Sequence, residues 1–138
     1  QDFSFTVLQK SADEIEKDCV KLFRLLKNTA SPFSKYLKNT TIDDRFFFKG
    51  SSAVIVVSGK GTTSSCLASS YMELMAASLG IGVLYSGFFI AAAKLNPKIM
   101  KKLGLPKGHK PVTCLVLGYP DTEYKRVPPR RKAEIRYR

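Results

Sequence analysis

The chain has 138 residues, 44% hydrophobic and 25% charged, with 23 Lys+Arg against 11 Asp+Glu and a net charge of +12. With 9 Phe and 6 Tyr, that composition predicts one domain with a packed core and excludes a disordered or low-complexity chain. One His and three scattered cysteines, Cys19, Cys66 and Cys114, exclude a zinc site, an iron–sulfur cluster and a Cys-X-X-Cys redox pair, whose ligands need short fixed spacings. Odd, separated cysteines and a polar start without signal-peptide features predict a cytoplasmic protein.

Phe3, Phe5 and Val7 alternate with Ser4, Thr6 and Leu8, the period of a strand with at least one buried face. Ser11-Ala12-Asp13-Glu14 then reads as a capping box ahead of an amphipathic helix carrying Ile15, Cys19, Leu22, Phe23 and Leu26 on one face. Residues 28–49 are irregular, and Phe46-Phe47-Phe48 is expected to tuck that loop against the core. Ala53 to Val57 is a continuous, mostly β-branched apolar run, the pattern of a central strand buried on both faces. After Gly59-Lys60-Gly61-Thr62-Thr63, a helix from about Ser64 carries Leu67, Tyr71, Leu74, Met75 and Leu79 and stops at Gly80. Phe88 to Leu95 predicts another helix, Pro97 opens a further one ending at Gly104, and Val112 to Leu117 predicts a third strong strand. The tail from Tyr124 begins extended around Pro128-Pro129, and Ala133 to Tyr137 is a candidate edge strand.

Three features bear on function. Residues 74–93 hold no charge and are long enough to span a bilayer, but Gly80, Gly82 and Gly87 interrupt them, and a buried core accounts for the run equally. Gly59-Lys60 between strand and helix resembles a phosphate-binding P-loop, yet Val54 stands where the first glycine belongs and Gly61 where Ser or Thr would meet magnesium. That segment therefore reads as a flexible surface turn. Charge is uneven: residues 1–80 hold 10 Lys+Arg and 8 Asp+Glu, residues 81–138 hold 13 and 3. A basic half of this kind suits a phosphorylated ligand, a nucleic acid or an anionic membrane. The tail lacks interleaved aromatics and a recognition helix, so neither nucleic acid nor membrane is the expected partner.

Taken in series, several segments give a more specific likeness. Gln1 to Val7, Phe48-Lys49-Gly50-Ser51-Ser52 with the run after it, Leu67 to Gly82, Ser86-Gly87-Phe88, Leu117-Gly118-Tyr119-Pro120 and Pro128-Pro129-Arg130-Arg131-Lys132 follow one another at matching spacings. The chain resembles the FMN-dependent nitroreductase family. The resemblance implies an α+β fold, a mixed or antiparallel sheet flanked by helices, in a homodimer whose C-terminal strand is exchanged between subunits. It implies FMN as cofactor, NAD(P)H or another reductant as electron donor, and a nitroaromatic, quinone or similar small molecule as acceptor. The family's main chain at Tyr85-Ser86-Gly87 meets the flavin ring, where Gly87 permits close approach. The phosphate is assigned to the basic residues after the prolines. On an extended segment Arg130 and Lys132 share a side, and a register shift of one makes Arg131 the ligand instead. Gln1 matches a family glutamine near the ribityl or pyrimidine edge.

No side chain reads as an indispensable general acid, and His109 is expected to be solvent-exposed rather than catalytic. The family's first helices, with a basic phosphate-binding motif and a flavin-contacting segment, have no counterpart before Gln1. Residues 1–138 are thus expected to form a single nitroreductase-like domain that is N-terminally incomplete, with the missing contacts supplied from elsewhere. The alternative function is a non-catalytic basic module that binds nucleic acid or a protein partner.

Overall fold

The computed structural model describes residues 2–29, 34–122, 125, 129 and 131–137. Strand β1 (Phe3–Leu8) leads into helix α1 (Ala12–Lys27) and the short α2 (Ser34–Leu37). Strand β2 (Ala53–Gly59), helix α3 (Thr62–Ser78) and strand β3 (Gly82–Tyr85) follow, then helices α4 (Gly87–Leu95) and α5 (Pro97–Leu103) and strand β4 (Lys110–Gly118). The four strands form one antiparallel sheet in the order β1-β2-β4-β3, so the apolar β2 is central, as its composition predicts.

Alternation along β2 and β4 divides the sheet into two faces. Val54 and Val56, opposite Val116 and Cys114, join Ile15, Cys19 and Phe23 of α1, Phe89 of α4 and Ile99 of α5 in the main core. The Phe46-Phe47-Phe48 loop closes this core as expected: Phe47 packs edge-on against Phe23 at 4.9 Å, and Phe48 lies 4.9 Å from Phe89. Glu16 secures the loop from α1, its Oε1 accepting the main-chain N–H groups of Phe47 and Phe48 at 2.9 Å each.

The other face is covered by α3, and here the sequence expectation is corrected. The helix turns Ser65, Ser69 and Ala76 inward, while Leu67, Tyr71, Leu74, Met75 and Leu79 are 57, 72, 67, 62 and 64% exposed. Small inward side chains let the helix sit close to the sheet. Ser65 and Ser69 donate back to the Gly61 and Ser65 carbonyls at 3.0 and 2.8 Å, which satisfies their buried hydroxyls. A core therefore does not account for the apolar residues of α3.

In the turn before α3, Lys60 to Thr63 are exposed, as a surface turn requires, but Gly59 at its start is close-packed. A Cβ on Gly59 would lie 2.4 Å from Ser65 Oγ and 2.7 Å from the Asp2 carbonyl. Lys60 N–H donates to that same carbonyl at 3.1 Å.

The predicted capping box at α1 does not form. Ser11 is helical and makes no side-chain cap bond, and Glu14 instead accepts from Lys102 Nζ at 2.7 Å, beside Asp18 at 2.6 Å. A cation within reach competes better for the carboxylate than a main-chain N–H. The uncharged run resolves into the end of α3, a turn at Gly80 (φ +70°), β3 and α4. Among the described residues no helix is long and apolar enough to cross a membrane. The candidate edge strand at 133–137 makes no ladder within this chain; its described residues are exposed and irregular, because no strand edge of the same chain lies paired with them.

Candidate functional site

The sequence-derived site residues fall into two groups. Tyr85, Ser86 and Gly87 are brought together at the junction of β3 and α4. Arg131 and Lys132 are exposed on the tail and make no hydrogen bond or ion pair with a described residue; Gln1 and Arg130 lie outside the described residues.

The junction is built by two competing hydrogen-bond patterns. β3 pairs with β4 from Gly82 opposite Gly118 to Tyr85 opposite Leu115, and Ser86 N–H extends the pairing to the Cys114 carbonyl at 2.9 Å. Ser86 then becomes the N-cap of α4, buried at 8% exposure, with no side-chain cap bond. The first-turn N–H groups of α4 have no intrahelical acceptor, and the helix dipole places partial positive charge there. A Cβ on Gly87 would meet nothing within 4 Å, so the main chain is open to approach from outside. The helix behind is fixed by fully buried Phe89 and by Phe88, whose ring lies 5.8 Å from Phe23 and 5.7 Å from Phe46. The arrangement offers main-chain donors on an unobstructed surface, which fits the polar edge of a planar ring carrying acceptor atoms.

Tyr85 contributes a second anchor. Its hydroxyl donates to Glu73 Oε2 of α3 at 3.0 Å. Partial burial, with the adjacent Glu73 adding to it, pushes the phenol up to about 12, so it stays a donor through the neutral range. Sequence reasoning missed this pair, since twelve positions separate the residues. The available signal was Glu73 itself, the single charged residue of α3.

His109 is also corrected. It is half-buried, with Nδ1 3.1 Å from Ser4 Oγ, which lies 2.8 Å from Oγ of fully buried Ser58. The imidazole ends a polar chain that gives the buried Ser58 hydroxyl a partner. This cluster joins β4 to β1, at the sheet edge opposite β3.

A groove of about 360 Å³ runs between Tyr71, Met75 and Leu79 of α3 and Ile81 and Leu117, continuing the exposed apolar face of the helix. All three cysteines are free; burial raises the thiols of Cys19 and Cys114, whereas Cys66 is exposed.

Comparison with solved structures identifies the class of this architecture. A nitroreductase with bound FMN from Desulfitobacterium hafniense DCB-2 matches with a TM-score of 0.68 and 21% identity, over 94% of this chain and 72% of that one. A nitroreductase with bound FMN from Bacteroides fragilis NCTC 9343 matches with a TM-score of 0.65 and 17% identity, over 96% and 72%. Oxidized iodotyrosine deiodinase bound to FMN and 3-iodo-L-tyrosine matches with a TM-score of 0.65 and 19% identity, over 99% and 76%. The chain thus has the nitroreductase-like α+β fold. The nitroreductase family model matches residues 60–119, a segment running from the turn before α3 through β4 and containing the β3–α4 junction. No curated protein matches the chain.

Proposed function

We propose that this chain is an FMN-dependent oxidoreductase that passes electrons from NAD(P)H or another reductant to a nitroaromatic, quinone or similar small acceptor. The observation that carries the reading is the β3–α4 junction, a positive helix start with free N–H groups and open space at Gly87. It lies inside the segment matched by the family model, and the fold is shared with FMN-bound proteins.

When bound, FMN supplies the electron-transfer chemistry, and the polypeptide supplies position and electrostatics. The N–H groups at Gly87 and in the turn after it would stabilise negative charge at the acceptor edge of the ring. Arg130 with Lys132, or Arg131 in the alternative register, would hold the phosphate by charge-assisted hydrogen bonds. The family likeness would assign Gln1 to the ribityl or pyrimidine edge. The expected setting is cytoplasmic, consistent with the free thiol exposed at Cys66.

Replacing Arg130 and Lys132 together with Ala is expected to weaken FMN binding about 10- to 100-fold, the loss of one or two charge-assisted contacts. The control removes exposed Lys98 and Lys101 from α5 and should leave affinity unchanged. Lys102 is unsuitable as a control because it joins α5 to Glu14 and Asp18 of α1. Equal losses in both variants, measured by flavin fluorescence titration, would mean non-specific attraction to a basic surface. They would favour the non-catalytic basic module instead.

The active form proposed is a homodimer in which the C-terminal segment crosses to the partner. The apolar face of α3 supports it, since five large side chains exposed in one stripe are characteristic of a covered interface rather than a free surface. Leu74→Lys with Met75→Lys should convert the dimer to monomer in sedimentation. A wild-type chain that sediments as a monomer would contradict the proposal.

A further inference from the structure

At the β3–α4 junction the helix side is anchored by fully buried Phe89, whereas the strand side is short and at the sheet edge. β3 is an edge strand of four residues whose one ladder partner among the described residues is β4, and on the α3 side its last residue is Tyr85. Edge strands of this length fray readily because half of their main-chain groups lack a ladder partner. Two bonds flank the position where fraying would displace Gly87: Ser86 N–H to the Cys114 carbonyl at 2.9 Å, and Tyr85 hydroxyl to Glu73 Oε2 at 3.0 Å. The second comes from a different element. It ties the end of β3 to the middle of a 17-residue helix whose other sixteen residues are uncharged.

Resting on the flavin-site reading above, we infer that Glu73 is a positioning residue for the cofactor: through Tyr85 it fixes the strand-to-helix junction whose main-chain donors face the ring. Glu73 itself touches no donor of the junction. Its action passes through the phenol, whose two-torsion side chain transmits the position of α3 to the main chain of residue 85 with little conformational freedom. The hydroxyl remains protonated well above neutral pH, so the link persists over the range in which such an enzyme would work.

The test uses Glu73→Ala, Tyr85→Phe and Glu73→Gln, the last of which keeps an acceptor oxygen for the phenol. Amide hydrogen exchange of Ser86, measured on the protein without FMN, should accelerate about tenfold in the first two variants and stay at the wild-type rate in the third. FMN affinity should fall by about the same factor in the first two and be restored in Glu73→Gln, with the unfolding midpoint unchanged in all three.

Unchanged Ser86 exchange in Glu73→Ala would overturn the inference whatever the flavin does. Faster exchange with unaltered FMN affinity would reduce the pair to a structural tie and overturn the positioning role. A lack of rescue by Glu73→Gln would overturn the role of the acceptor oxygen. Failure of the wild-type chain to bind FMN would count against the flavin site itself and remove the cofactor role of Glu73 with it, while the exchange data would still report on the link.

Discussion

Glu16→Ala should cost the fold about 2–5 kcal/mol, read as a lowered urea midpoint, because it strands two buried N–H donors, those of Phe47 and Phe48. Each bond is 2.9 Å, and together they hold the aromatic loop against Phe23 and Phe89. Glu16→Gln retains an acceptor and should remain close to wild type. The two also differ in pH dependence. Burial raises the Glu16 carboxyl above its usual range, against the two N–H bonds that lower it, with Asp13 and Asp43 adding to the rise. The folded protein therefore holds this proton to higher pH than the unfolded chain does. Its contribution to stability is full below the unfolded carboxylate pKa of about 4.3 and is lost as pH rises through the folded value. Gln has no such loss, so the stability of Glu16→Gln relative to wild type should improve between pH 4 and pH 7. A constant difference across that range would show that Glu16 is not perturbed.

The second large effect is expected at Gly87. Gly87→Val should abolish flavin retention on gel filtration while leaving the thermal midpoint within a few degrees of wild type. The added side chain meets no atom of this chain within 4 Å, and the position does not require a left-handed backbone, so the fold has no reason to resist it. It would occupy the surface over which the ring must approach the main chain. A Gly87→Val variant that retains FMN normally would remove the junction from the site, and a variant that fails to fold would contradict the open space found there.

Much of this architecture was legible because single segments state it locally. The unbroken Ala53–Val57 run specifies a central strand, Pro97 and Gly104 bracket α5, and Ile15, Cys19 and Phe23 mark the inner face of α1. What misled was a pattern with two meanings. Leu67, Tyr71, Leu74, Met75 and Leu79 recur at helical spacing whether they face a core or a partner, and the small residues Ser65, Ser69 and Ala76 that mark the true inner face carry little hydrophobic signal.

Charged contacts between distant segments were equally hidden. Glu14 could not be seen to prefer Lys102, 88 positions away, over its own helix start. Glu16 left a trace, an acidic residue one turn before Cys19 and Val20 on the buried face of α1. Of the candidate site, Ser86 and Gly87 came from family likeness and stand at the start of α4, whereas Glu73 needed the structure. The basic tail was legible as composition, and its residues 131–137 are exposed.

The central claim, that this polypeptide holds FMN, is tested most directly by the visible absorption spectrum of the purified chain after incubation with FMN and gel filtration. The account predicts a flavin band co-eluting with the protein, with its maxima shifted from those of free FMN by the fixed polar environment at the β3–α4 junction. A protein fraction without flavin absorbance would contradict it and leave the chain as a nitroreductase-like fold whose basic half serves a different ligand.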